Sequence, residues 1–195
     1  MEVIERTKTW DDTAVLVTGD HGNTEVHTQI RPNLWLIDAG LRGKRLEDGG
    51  CRATFHALGG SAFLRAESDA EAADVRRVLD ALPSAMRALF RIVEREELDL
   101  LGADPDAPFA LAAAPGYVID DRAEGPVLQP NPGMSHGHHP DLPDMNTGFL
   151  AKGAGIRAGA VAPQLPLTAI APLVAELLGL DFDAPDGVPI PGLLD

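Results

Sequence analysis

The sequence predicts an α/β fold, a parallel-type sheet flanked by helices, with a small α+β cap inserted into it. Three observations lead there. Thr13-Ala14-Val15-Leu16-Val17-Thr18 is a short, almost continuous apolar run rich in β-branched residues, which suits a strand buried on both faces of a parallel sheet. Residues 168–178 carry the spacing of an amphipathic helix, and Gly179 follows as a helix-stopping residue. Between them, residues 41–128 mix hairpin-like and helical patterns, as a cap set into a larger domain does. The expected organisation is a core segment at 1–40, a cap insertion at 41–128 and a second core segment at 129–195.

Taken in order, residues 2–9 read as the end of a short helix, closed by a turn at Asp11-Asp12. The strand at 13–18 stops at Gly19-Asp20-His21-Gly22-Asn23, and Leu34-Trp35-Leu36-Ile37 predicts a further strand ending near Gly40. Residues 52–58 and 61–65 flank a Gly59-Gly60 break and predict a hairpin. Ser68 can cap a helix over 69–82, with Glu71 at capping-box spacing and Ala72, Val75, Val78, Leu79 and Leu82 on one face. A second helix is expected over 84–96 and another strand over 109–113. From Gln129 the chain turns rich in proline, glycine and histidine, then predicts a strand at 147–152, the helix at 168–178 and an extended tail through Pro185, Pro189 and Pro191.

Composition narrows the function. With 195 residues, 45% hydrophobic and 24% charged, the chain has the makings of one globular domain. Acidic residues outnumber basic ones 30 to 16, for a net charge of −14, which argues against a nucleic-acid-binding surface and against docking on an anionic membrane. Cys51 is the single cysteine, so neither an internal disulfide nor a cysteine-rich zinc framework is available. The opening Met1-Glu2-Val3-Ile4-Glu5-Arg6 lacks the apolar core of a signal peptide, and the longest apolar stretch, around 165–180, is broken by Pro166 and Pro172. On these grounds no membrane segment is expected, and the location expected is cytoplasmic.

Five of the six histidines, His21, His27, His136, His138 and His139, lie beside turn residues or other polar groups, whereas His56 sits in a strand-like run and suits a core or cap role. Asp20 and His21 follow a predicted buried strand directly, where ligands of α/β sheets bind, and both are good ligands for zinc or manganese. A strand-ending turn in which Asp20 caps local amides is the alternative. Gly133-Met134-Ser135-His136-Gly137-His138-His139-Pro140 could aim an imidazole at a metal or form a polar surface loop. Asp20, His21 and His136 make three ligands, and a bridged two-metal site needs about twice that number.

These residues carry a resemblance. Asp12 through Gly22 resembles the metal-binding Asp-His-Gly strand of the alkaline phosphatase superfamily. Ser135-His136-Gly137-His138-His139-Pro140-Asp141-Leu142-Pro143-Asp144-Met145 is similar to the Ser-His-Gly-Tyr-x-Pro-x-x-Pro-x-Met segment of its type I phosphodiesterase/nucleotide pyrophosphatase branch. Ile170-Ala171-Pro172, Leu177-Leu178-Gly179-Leu180 and Pro185-Asp186-Gly187 fit the same tail. The resemblance implies a partial alkaline-phosphatase-like sandwich and a phosphoester hydrolase that uses two divalent metal ions, zinc before manganese, on small-molecule phosphoesters. By that resemblance Asp20 and His21 hold the metal that activates the nucleophile, and His136 completes the other site.

The departures set further expectations. In the family, a Thr or Ser nucleophile, a first metal-binding Asp and an Asp-x-x-x-His pair precede Asp-His-Gly, and the nineteen residues before Asp20 carry none of these motifs. The nucleophile is therefore expected to be absent. The chain is expected to represent a truncated C-terminal half, inactive and weakly metal-binding without an N-terminal half, which could be a separate partner chain. Alternatives are a non-catalytic remnant or binding module with the same fold, and a mutase-type relative, since Asp20-His21-Gly22-Asn23 also occurs in mutases of the superfamily. His138 in place of the family's Tyr is a smaller departure.

Overall fold

A computed structural model describes residues 2–7, 10–43 and 51–195. In chain order the elements are α1 (Glu2–Thr7), a 3₁₀ turn (Trp10–Asp12), β1 (Ala14–Thr18), β2 (Thr24–Ile30), α2 (Asn33–Asp38), β3 (Ala53–Ala57) and β4 (Ser61–Ala66). There follow α3 (Asp69–Asp80), α4 (Ser84–Arg87), β5 (Phe90–Val93), α5 (Arg95–Leu100), β6 (Ala110–Ala113), β7 (Gly116–Ile119), β8 (Leu128–Ser135), β9 (Phe149–Gly153) and α6 (Ile170–Leu177). The α/β class expected from the sequence holds. The elements fall into two units, Met1–Asp20 with Thr147–Asp195, and His21–Asn146.

In the first unit β1 pairs antiparallel with β9, Val17 facing Leu150 and Ala14 facing Gly153. The expectation of a strand buried on both faces is corrected here: β1 and β9 form a two-stranded sheet, and Val17 and Leu150 are 58% and 73% exposed. An apolar run marks a strand without saying how many neighbours cover it. Lys152 lies 4.4 Å over the Trp10 ring, a cation–π contact joining β9 to the turn before β1. Helix α6 buries Leu173 and Ala175 and ends where expected, at Gly179 with φ of +64°.

The second unit holds two sheets. One has the order β3-β4-β6-β5, antiparallel throughout, and the other the order β7-β2-β8, with β2 parallel to β7 and antiparallel to β8. The parallel pairing in the described residues is therefore confined to β2–β7. Helix α3 starts where the sequence placed it, with the Ser68 hydroxyl accepting from the Glu71 amide, and buries Ala72, Val75 and Leu79. Its apolar face joins Ile30, Leu36, Phe55, Leu64 and Leu111 in one core. Buried Asn33 stitches that core, donating through Nδ2 to the carbonyls of Phe55 and Asp121 and accepting from the Phe55 amide.

Two element expectations are corrected. Leu34-Trp35-Leu36-Ile37 lies in α2, a helix: four apolar residues carry no period of their own, and Pro32 (φ −65°, ψ −26°) already has the helical backbone that starts one. The helix expected over 84–96 is α4, then strand β5, then the start of α5. Phe90 and Val93 of β5 are buried, and the strand pairs with β6, so tertiary pairing outweighed local helix preference. Strands β2, β7 and β8 lie outside the elements expected from the sequence. Pro130 and Pro132 mask β8 in sequence, and are tolerated because β8 is an edge strand.

Candidate functional site

Strand pairing brings the two motifs within the second unit together. Thr24, the first residue of β2, is in register with Ser135, the last of β8. His21 lies three residues before the first and His136 one residue after the second, so both emerge at the same end of the sheet. Their rings stack, with centroids 4.2 Å apart and planes 11° from parallel. Both side chains are exposed.

Hydrogen bonds orient the pair. His21 Nδ1 lies 2.9 Å from the Gly22 carbonyl oxygen, which can only accept, so Nδ1 is the donor and, in the neutral tautomer this selects, Nε2 is the nitrogen with the lone pair. The Gly22 amide donates to the Met145 carbonyl at 2.8 Å, and Thr24 Oγ1 donates to Asp144 Oδ2 at 2.6 Å. The turn holding His21 is thus clamped to the loop that follows His136. On the other side, the His136 carbonyl accepts from the Gly60 amide at 2.8 Å and the Gly137 carbonyl from Ser61 Oγ at 2.7 Å. Gly137 has φ of +71°, and a Cβ there would meet the Leu58 carbonyl oxygen at 1.8 Å, so the β3–β4 turn and the His136 loop can approach this closely only with glycine.

The remaining histidines have other work. His138 is buried, its Nε2–H donating to the Tyr117 carbonyl at 2.8 Å, with its ring where a Cβ on Gly60 would be. His27 sits at an irregularity of the β2–β8 ladder and packs edge-on to Tyr117. His56 is exposed on β3, 3.7 Å from an Asp121 oxygen, so the core option for it is set aside. His139 lies between Glu97 and Asp141. Asp20 occupies the exposed bend after β1, at the end of the first unit.

Donor chemistry at His21 fits a divalent metal, since a ring held through Nδ1 presents Nε2 as a ligand. Number does not: among the described residues no three His, Cys, Asp or Glu side chains gather to hold one ion. Thr24 carries no signal in the sequence, and Asp144, Ser61 and Gly60 stand there only as members of longer stretches, with nothing to mark them as the residues that seat the two histidines. Their partners lie 76 to 120 residues away for the side-chain bonds, and no local pattern encodes such contacts.

Comparison with known families gives the class, a family of phosphodiesterase and pyrophosphatase hydrolases. Residues 1–147 match the family of type I phosphodiesterase / nucleotide pyrophosphatase, and the chain belongs to that family. Its fold is similar to that of human ectonucleotide pyrophosphatase / phosphodiesterase 5, with TM-score 0.70 and 18% identity, covering 100% of this chain and 48% of that one. The murine protein of the same name matches with TM-score 0.68 and 21% identity, and an inactive form of it in complex with AMP with 0.67 and 22%, at the same coverages. The chain spans about half the length of the solved structures it matches. No curated protein sequence matches it significantly. No helix among the described residues is long and apolar enough to cross a membrane.

Proposed function

We propose that the chain supplies part of the metal centre of a phosphodiesterase or nucleotide pyrophosphatase, Asp20 and His21 serving one divalent ion and His136 the other. The family match, together with the stacked His21–His136 pair, carries this reading. A ring separation of 4.2 Å suits ligands of two ions that stand about 3.5–4 Å apart. Such ions, zinc or manganese, supply charge neutralisation at the phosphoryl oxygens and activation of the nucleophile. Neighbouring positive charge is needed, because a chain of net charge −14 otherwise repels an anionic phosphoester.

This chain's own residues hold and orient. Gly22 fixes the His21 tautomer, Thr24 and Asp144 clamp the turn, and Gly60 and Ser61 seat the His136 loop. The nucleophile and further ligands belong to polypeptide outside these residues, in a separate chain or a longer one, and the chain alone binds metal weakly and does not turn over substrate. The substrate class is a small phosphodiester or nucleotide pyrophosphate, in keeping with the AMP complex of the murine relative.

Two measurements test this. Hydrolysis of bis-p-nitrophenyl phosphate by the purified chain with zinc or manganese should stay at background; turnover that vanishes in His136→Ala would show a complete site and overturn the partial one. Zinc titration followed by histidine ring NMR signals should perturb His21 and His136 before His27 and His56. A uniform response of all the histidines would remove both from the ligand set.

A further inference from the structure

The loop from His136 to Asp144 is anchored at both ends by bonds already described, at Gly60 and Ser61 on one side and at Gly22 and Thr24 on the other. Midway between these anchors lies a cluster of four charged or titratable side chains. Arg91 of β5 donates through both Nη1 and Nη2 to Glu97 of α5, each at 2.9 Å, and through Nη2 to Asp141 at 3.3 Å. The His139 ring, 13% exposed, has Nε2 3.0 Å from Glu97 Oε1 and Nδ1 2.7 Å from Asp141 Oδ1. The Asp141 amide also points at Nδ1, at 3.2 Å.

Nδ1 therefore has two partners that suit opposite protonation states. A neutral ring accepts from the Asp141 amide at Nδ1, whereas a protonated ring is drawn to the Asp141 and Glu97 carboxylates that lie within ion-pair distance of its two nitrogens, although buried Nε2 makes no aligned hydrogen bond. Adding the proton makes the cluster charge-balanced, two cations against two carboxylates. Arg91 holds the Glu97 carboxyl below its usual range by hydrogen bonding, so that partner stays ionised. Among the described residues, Glu97 and Asp141 are the ring's ion-pair partners.

We propose that His139 is a positioning residue whose protonated ring latches the His136–Asp144 loop to β5 and α5, and that loss of the proton loosens the loop between its two outer anchors. The latch is closed at low pH and opens as pH rises through the ring's titration. Its bearing on catalysis rests on the reading of His136 as a metal ligand; the latch itself does not, and it is tested apart from activity.

The experiment is a pH titration of the whole metal-free chain by NMR, following the His139 ring proton and the backbone amides of Gly137 and Gly22, one beside each outer anchor. Both amides are expected to show an inflection coincident with that of His139. The inflection should vanish in His139→Gln and fall by at least half in Glu97→Gln, which alters a partly exposed residue and spares every histidine. A residue that only supports the fold would change stability without carrying this inflection to distant amides. Inflections absent from the wild-type chain, or of undiminished amplitude in either variant, would overturn the latch. Altered histidine response to zinc with the inflections intact would instead bear on the metal-ligand reading alone.

Discussion

At Gly22 a methyl group would stand 1.9 Å from the Asp144 carbonyl oxygen and 2.6 Å from that of Asn146. Both are backbone atoms, so relief needs movement of the His21 turn or of the 144–146 loop. Gly22→Ala is expected to lower stability by about 1–3 kcal/mol, read from the urea unfolding midpoint, and to part the His21 and His136 rings, read from their NMR ring-current shifts. An unchanged midpoint with unchanged ring signals would mean that the clamp is not what holds the pair. At this scale the sequence pointed to Asp20, His21 and His136 by residue type and placement. It was silent on the contact between Thr24 and Asp144, because a hydrogen bond across 120 residues leaves no mark on either neighbourhood.

Among elements, the parallel strands β2 and β7 end together, Ile30 in register with Ile119, and place Arg31 beside Asp120. Arg31 is buried and donates through Nε to Asp120 Oδ2 at 2.9 Å, while Gln29 and Arg122 donate to the same oxygen. Burial pushes the Asp120 carboxyl up, but the hydrogen bonds from Arg31 and Arg122 outweigh it and hold the group below its usual range. A carboxyl depressed by folding contributes stability that is fully present above its unfolded value and is lost as pH falls through the folded one. Asp120→Asn should therefore flatten the decline of unfolding free energy below about pH 4. Asp120→Ala should cost about 3 kcal/mol at neutral pH by stranding a buried guanidinium. A variant with the wild-type acid slope would remove Asp120 from the account. Elements with local signals, such as α3 with its Ser68 cap, were readable in the sequence, whereas α2 and β5 were not, because short apolar runs take their form from what they pack against.

For the molecule as a whole, the two-stranded β1–β9 sheet is the feature with solution consequences. Val17 and Leu150 face each other across the pair, both largely exposed, and β1 pairs with β9 alone among the described strands. An apolar strand with an open edge is a template for further pairing. The isolated chain is expected to self-associate, its light-scattering mass rising with concentration, and Val17→Lys should reduce that rise. A monodisperse monomer with cooperative unfolding would contradict the expectation.

Short contiguous signals suffice for the α/β class, the family and the residue types at the candidate site: a β-branched run, a capped amphipathic helix, Asp20-His21-Gly22 and the Ser135–Met145 segment. Long-range packing sets the rest: which strands pair, the half-exposure of β1, the burial of His138, the stacking of His21 on His136, and the place of His139 between Glu97 and Asp141. Those outcomes depend on register between distant strands and on glycines that let two backbones touch. Neither is written into any local stretch of chain.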